Sequence, residues 1–199
     1  MKNLKTVFLL FFCISKGFSQ NELWETKDKQ KLIDNYKRAQ KELNDETTAL
    51  SKKQWNFRMG EGKWTIGQVV EHVNMWHLIT QAQLRNAEFQ GPKPELVSKT
   101  LPDSVVTKFI YEEKSHVSPD ISIPTGLIPD DINRQLFNIK CDEIVQKLES
   151  STIDLGQYFR TFPGGYQENF YQMHTIHYGH IDRHLRQIRR IKADSNFPK

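Results

Sequence analysis

The sequence predicts an all-α fold, a four-helix bundle with one long crossover connection between its second and third helices. Four long segments carry apolar residues at three- and four-residue steps, the period of one helix face. Six prolines fall between residues 92 and 129, a density that excludes a long helix there and leaves a connection of nearly forty residues. Repeats, low-complexity tracts and linkers that would mark a second domain are missing, so residues 20–199 read as one domain large enough to bury a core.

The first nineteen residues stand apart. A basic start with Lys2 and Lys5, an apolar run over 6–15 and a small-x-small site at Gly17-Phe18-Ser19 form the pattern of a secretory signal, with cleavage after Ser19 making Gln20 the new N-terminus. The run is shorter than the ~20 residues that a spanning helix needs. A lipoprotein signal ending at Cys13 fits less well, because bulky Phe12 precedes the cysteine. The chain is therefore expected to be exported, periplasmic or secreted, without stable membrane insertion once the leader is removed. The leader carries three lysines and no acid, so its loss lowers the formal charge from +4 to +1. Cys141 is then the one remaining cysteine, which rules out an intramolecular disulfide.

Residues 27–50 should form the first helix, with Leu32, Ile33, Tyr36, Ala39, Gln40 and Leu43 as its inward stripe. Gly60 and Gly62 break the pattern, and Trp55, Phe57 and Trp64 around them are expected to plug one end of the core. Thr65 with Gln68 three residues on has the form of a capping box, which opens a second helix over 66–89. Ile66, Val69, Val70, Val73, Trp76, Leu78, Ile79 and Leu84 sustain it. His72 shares a face with Gln68, Met75, Trp76 and Ile79, whereas His77 lies about 140° around and reads as an interfacial or surface residue.

In the crossover, residues 104–112 suit a short helix, residues 118–126 look extended, and His116 is expected at the surface. Asp130 and Asp131 should cap a third helix reaching residue 150, with Ile132, Leu136, Ile139, Ile144, Val145 and Leu148 as its stripe. Residues 158–165 read as a turn feeding the last helix, which lies within 166–192. There Arg183, Arg186, Arg189, Arg190 and Lys192 form the chain's basic cluster, expected to be a solvated helix back that complements a C-terminal dipole. With so little net positive charge after the leader, nucleic acid is not an expected partner.

The last helix also concentrates four of the seven histidines. His177, His180 and His184 share its apolar face with Ile181, Leu185, Ile188 and Ile191, and the i, i+4 spacing of His180 and His184 lets both rings converge on one point. A lone buried histidine is usually a hydrogen-bonded core residue. Several on one apolar face point instead to a divalent cation, which satisfies several lone pairs at once. His72 as a third nitrogen would complete a three-histidine site with one coordination position open, the arrangement of a catalytic metal.

Several stretches together resemble one family. Trp55-Asn-Phe-Arg58, Gly62-Lys-Trp-Thr-Ile-Gly-Gln-Val-Val-Glu-His72, Phe162-Pro-Gly-Gly165 and His180-Ile-Asp-Arg-His184-Leu-Arg-Gln-Ile188 are similar to the DinB superfamily, in its DinB-like branch of small metal-binding bundles. The resemblance spans nearly all of the mature chain and implies a four-helix bundle whose metal triad is His72, His180 and His184. His177 falls outside that motif and is left as a pocket or supporting residue. Family members include thiol S-transferases, a thiol-dependent isomerase and many proteins assigned only as metal-dependent hydrolases. Export departs from the transferase pattern, because reduced thiol pools belong to the cytosol.

The resulting expectation is a metal-dependent hydrolase with zinc or nickel on three neutral imidazoles, acting on a small molecule that the sequence does not name. A metal-dependent thiol S-transferase, a non-enzymatic metal- or ligand-binding bundle and purely structural histidines stay open as alternatives. No general base is legible: Glu71 and Asp182 adjoin ligands in sequence but point about 100° away from them, and Glu168 and Tyr178 have no better claim. A homodimer is compatible with a helical bundle, although no surface stripe demands one.

Overall fold

The computed structural model describes residues 20–112, 117–161 and 165–199, with side chains from residue 28 onward. The leader, His116 and residues 162–164 lie outside the described residues. The helices are α1 (Gln20–Thr47), α2 (Lys52–Trp55), α3 (Ile66–Gln90), α4 (Asp103–Tyr111), α5 (Asp130–Ser150) and α6 (Phe170–Lys192). Strands β1 (Phe159–Thr161) and β2 (Gln167–Asn169) pair as an antiparallel hairpin.

The predicted bundle is present. Helices α1 and α3 each pack against both α5 and α6. Tyr36, Leu32 and Leu43 of α1 are fully buried, as are Ile66, Val69, Val70 and Val73 of α3, so the predicted stripe of α1 and the N-terminal half of that of α3 face the core. Contacts between Lys37 and Glu149, Gln40 and Asp142, and Asn44 and Asn138 run in opposite sequence order, so α1 and α5 are antiparallel. Pairs Asn74 with Asn133 and Glu88 with Lys147 run in the same order, so α3 and α5 are parallel neighbours.

Parallel neighbours cannot be joined by a short turn. The 25 residues of α3 rise about 37 Å at 1.5 Å per residue, and the chain must travel back that far before α5 can begin. This is the physical reason for the long crossover. Midway, α4 lays Val106 and Ile110 on α6, at a point where a Cβ on Gly179 would meet Ile110 Cγ1 at 2.8 Å. Glycine is needed at 179 to admit that contact. Beyond α4, residues 118–126 are not simply extended, because Pro119 starts a 3-10 turn at Asp120–Ser122, with Ser122 N–H donating to the Pro119 carbonyl at 2.8 Å.

Three helix starts carry reciprocal caps, Ser51 with Gln54, Thr65 with Gln68 and Asn169 with Gln172, each satisfying orphan N–H groups of the first turn. The start of α5 differs from expectation. Pro129 occupies the cap position, and Asp130 and Asp131 lie inside the first turn, where they favour the dipole without capping it.

The stripe of α5 is also corrected. Ile132 and Ile139 are 41% and 50% exposed, while Asn133, Phe137 and Cys141 are buried. Asn133 faces inward because α3 supplies it with a partner: Asn74 Nδ2 donates to its carbonyl at 2.9 Å. Leu78 of α3 likewise faces solvent. Part of the expected turn before α6 is the β1–β2 hairpin, locked by an ion pair between Arg160 and buried Glu168 at 2.6 Å. The basic cluster is less solvated than expected, since Arg189 and Lys192 reach across to Glu42 and Glu46 and tie α6 to α1. Among the described residues no helix is long and apolar enough to cross a membrane.

Candidate metal centre

Helices α3 and α6 bring His72, His180 and His184 together, more than a hundred residues apart in sequence but within one cluster whose candidate ligand atoms all lie within 4.8 Å of one another. His180 Nε2 lies 3.3 Å from His72 Nε2 and 3.0 Å from His184 Nε2. Their helices are antiparallel neighbours, so one position on α3 meets an i, i+4 pair on α6.

The other ring nitrogens decide what these contacts mean. His72 Nδ1 lies 2.6 Å from the Ser122 carbonyl, which can only accept, so Nδ1 carries the proton and Nε2 presents a lone pair. His184 Nδ1 donates to Gln187 Oε1 at 2.8 Å, with the same result for its Nε2. Both lone pairs face His180 Nε2. With neutral rings, a proton on His180 Nε2 could be donated well to one neighbour only, leaving the other lone pair without a donor, and a proton on its Nδ1 would set lone pair against lone pair at both contacts. His180 Nδ1 is buried without a hydrogen-bond partner among the described residues.

A cation resolves the conflict that no neutral tautomer can. Tetrahedral zinc with Zn–N distances of 2.0–2.1 Å separates its ligand nitrogens by about 3.3 Å, close to the spacings found here. Protonation is not a competing solution. Burial pushes His184 down to about 3, and burial followed by the neighbouring imidazoles holds His180 well below the usual histidine range. Burial also lowers His72, against the opposing pull of the Ser122 carbonyl. The donor set is thus three neutral nitrogens, which fits a divalent transition metal and leaves its charge undiminished.

Aromatic rings shield this cluster. Trp64 lies 4.8 Å from the His72 ring and Trp76 lies 5.0 Å from the His180 ring, centroid to centroid. Trp64 was expected only as a core plug, a role met by buried Trp55 and by the edge-to-face pair Phe57 and Phe197. Trp76 Nε1 is buried without a partner among the described residues.

The nearby carboxylates are engaged elsewhere. Glu71 is 1% exposed and accepts from Thr125 N, Thr125 Oγ1 and Gly126 N at 2.7–2.9 Å, clamping the crossover that delivers Ser122 to His72. Gly126 takes φ +74°, a conformation that favours glycine. Asp182 accepts from Arg38 at 2.9 Å and from the Tyr111 hydroxyl at 2.6 Å. Neither acts as a fourth ligand, and Glu168 is held by Arg160.

Two histidines are placed differently from the sequence reading. His77 is fully buried, packed on Phe137 and His177, because α3 is covered by α5 on one side and α6 on the other and so has no free flank at that position. His177 is buried as expected but belongs with His174 and His77, below the triad. Ser122 and Gln187, which orient His72 and His184, carried no sequence signal, since a backbone carbonyl fifty residues away and an amide three residues on are visible only once the chain is folded.

Comparison with known proteins places this geometry. A family model described as the DinB superfamily matches residues 35–188, from the middle of α1 to the last turns of α6. No curated protein sequence matches the chain. Among solved structures, YfiT from Bacillus subtilis, described as a probable metal-dependent hydrolase with an unusual four-helix bundle topology, is similar with a TM-score of 0.54 and 16% identity, over 82% of this chain and 85% of that one. At that identity the likeness establishes the fold alone. The family match covers most of the chain and all three clustered histidines, and the chain belongs to the DinB superfamily.

Proposed function

We propose that His72, His180 and His184 ligate one divalent transition metal, zinc or nickel, and that the protein is a metal-dependent hydrolase of a small-molecule substrate. The observation that carries this reading is the meeting of three Nε2 atoms at 3.0 and 3.3 Å, two of them left unprotonated by hydrogen bonds at Nδ1. Such a cation supplies Lewis acidity, lowering the pKa of a water to ~7 and polarising a substrate oxygen. The Ser122 carbonyl and Gln187 hold two imidazoles in the ligating tautomer, and Trp64 and Trp76 wall the site against bulk water.

Metal analysis of protein purified without chelator should give about one ion per chain, falling to background in His180→Ala. Metal-loaded protein should then turn over at least one member of a panel of esters, amides and lactones. Loss of the ion without any such activity would leave a binding bundle and remove the enzyme.

A second reading rests on the carboxylates being engaged elsewhere. A hydrolase profits from a positioned base, whereas a zinc-bound thiol is deprotonated outright and needs none. Metal-dependent consumption of a low-molecular-weight thiol with an electrophilic acceptor would favour a thiol S-transferase. Export argues the other way, and we propose it from residues 1–19 alone. N-terminal sequencing of the mature protein should begin at Gln20, and an intact Met1 would return the chain to the cytosol.

A further inference from the structure

Away from the triad, α3, α5 and residues 151–155 enclose a cleft of about 240 Å³, room for roughly eight waters at ~30 Å³ each. Its walls are apolar, with Leu84, Leu148, Leu155 and Phe170 each under 5% exposed. His174 is the polar group in the interior. Its Nδ1 lies 3.0 Å from the Tyr36 hydroxyl, so Nε2 is the nitrogen left for a guest. Burial, with Lys147 adding to it, pushes this imidazole down to about 3 and keeps it neutral.

The rim carries charges of both signs, and most are matched. Lys147 Nζ donates to Glu88 at 2.6 Å, and Glu143 accepts from Lys140 at 2.8 Å. Arg85 is the exception, exposed at the rim and engaged by no hydrogen bond or ion pair among the described residues. An apolar slot with one uncompensated guanidinium at its mouth selects for an apolar body ending in an anion, and the planar fork of arginine suits a carboxylate.

We propose that this cleft binds a small organic carboxylate of about the size of octanoate, its apolar body between α3 and α5 and its carboxylate on Arg85. The site is separate from the metal centre and uses none of its ligands. Each methylene moved from water into the cleft contributes ~0.8 kcal/mol, so affinity should rise about three- to fourfold per carbon until the cleft is full.

Isothermal titration of the mature chain with octanoate, hexanoate and octan-1-ol tests this. Octanoate should bind one per chain, about tenfold more tightly than either hexanoate or octan-1-ol. Arg85→Gln, an exposed substitution that leaves the core intact, should bring octanoate down to the alcohol's affinity without changing the alcohol. Metal-stripped protein and His180→Ala should bind octanoate unchanged, which separates this site from the metal reading. The assignment is overturned if octanoate does not saturate, if Arg85→Gln binds it as tightly as the parent, or if binding appears only in metal-loaded protein.

Discussion

Two trios of buried histidines lie one above the other in this bundle, each built from one residue of α3 and two of α6. In the upper trio, His72, His180 and His184 turn their Nε2 atoms toward one another. In the lower trio, His174 and His177 turn their Nδ1 atoms toward the Tyr36 hydroxyl at 3.0 and 2.9 Å, and His77 packs its ring on His177. A hydroxyl donates one hydrogen bond and accepts others, so Tyr36 can serve both imidazoles if one is its acceptor and the other its donor. His174 and His177 thus share a partner that the protein itself supplies, and His77 Nε2 lies 3.9 Å from Cys141 Sγ. The upper trio converges on a point that suits a cation, and this difference, not burial or residue type, separates core histidines from the proposed ligands.

Breaking each trio should therefore have opposite consequences. The largest effect is expected for His180→Ala, which removes the nitrogen common to both short contacts and should weaken metal affinity at least a hundredfold, measured by competition with a chromogenic chelator. Tyr36→Phe should leave metal affinity within about twofold, because the upper trio does not use that hydroxyl.

Acid should act on the lower trio even in metal-free protein. His77 and His174 are both held at about 3, chiefly by burial, with Lys140 and Lys147 respectively adding to it. An unfolded histidine titrates near 6.5, so below that pH the unfolded state binds more protons than the folded state. Stability should be insensitive to these groups above pH 6.5 and fall between pH 6.5 and about 3, by roughly 1.4 kcal/mol per pH unit for each histidine. Urea midpoints of chelator-treated protein at pH 7.5, 6 and 5 would measure the slope, and a flat profile would mean that these rings are solvated.

Tyr36→Phe itself should cost about 1–3 kcal/mol of stability by stranding buried imidazole nitrogens, read as a lower urea midpoint. The smallest effect sharpens the upper trio. Gln187→Ala removes the acceptor at His184 Nδ1 and should weaken metal binding about tenfold, with little change in fold stability. Equal loss in Gln187→Ala and His180→Ala would contradict the division between ligand and orienting residue.

Much of this was legible beforehand where one periodicity governs one face. The stripe of α1, the Thr65 cap and the i, i+4 pair on α6 follow from spacing that holds whatever the neighbours are. Legibility failed where an element is covered on two sides or packs polar groups inward. His77 lies off the His72 face yet is buried against α5, and Asn133 takes an inward place from Ile132 because Asn74 satisfies it. Strands β1 and β2, three residues each, are too short for a β pattern to declare itself.

By itself, the order of residues determined four amphipathic helices, a connection too proline-rich to be a fifth long one, and two histidines placed on one face of the last helix. Helical periodicity is local, and side-chain spacing along 3.6 residues per turn enforces it without reference to the rest of the chain. Tertiary structure alone decided that α3 and α5 run parallel, that Ser122 and Gln187 fix the tautomers of His72 and His184, and that Tyr36 claims His174 and His177. Those outcomes depend on which groups meet across segments distant in sequence, and whether a buried imidazole finds a hydroxyl or other imidazole lone pairs is settled only when the helices pack.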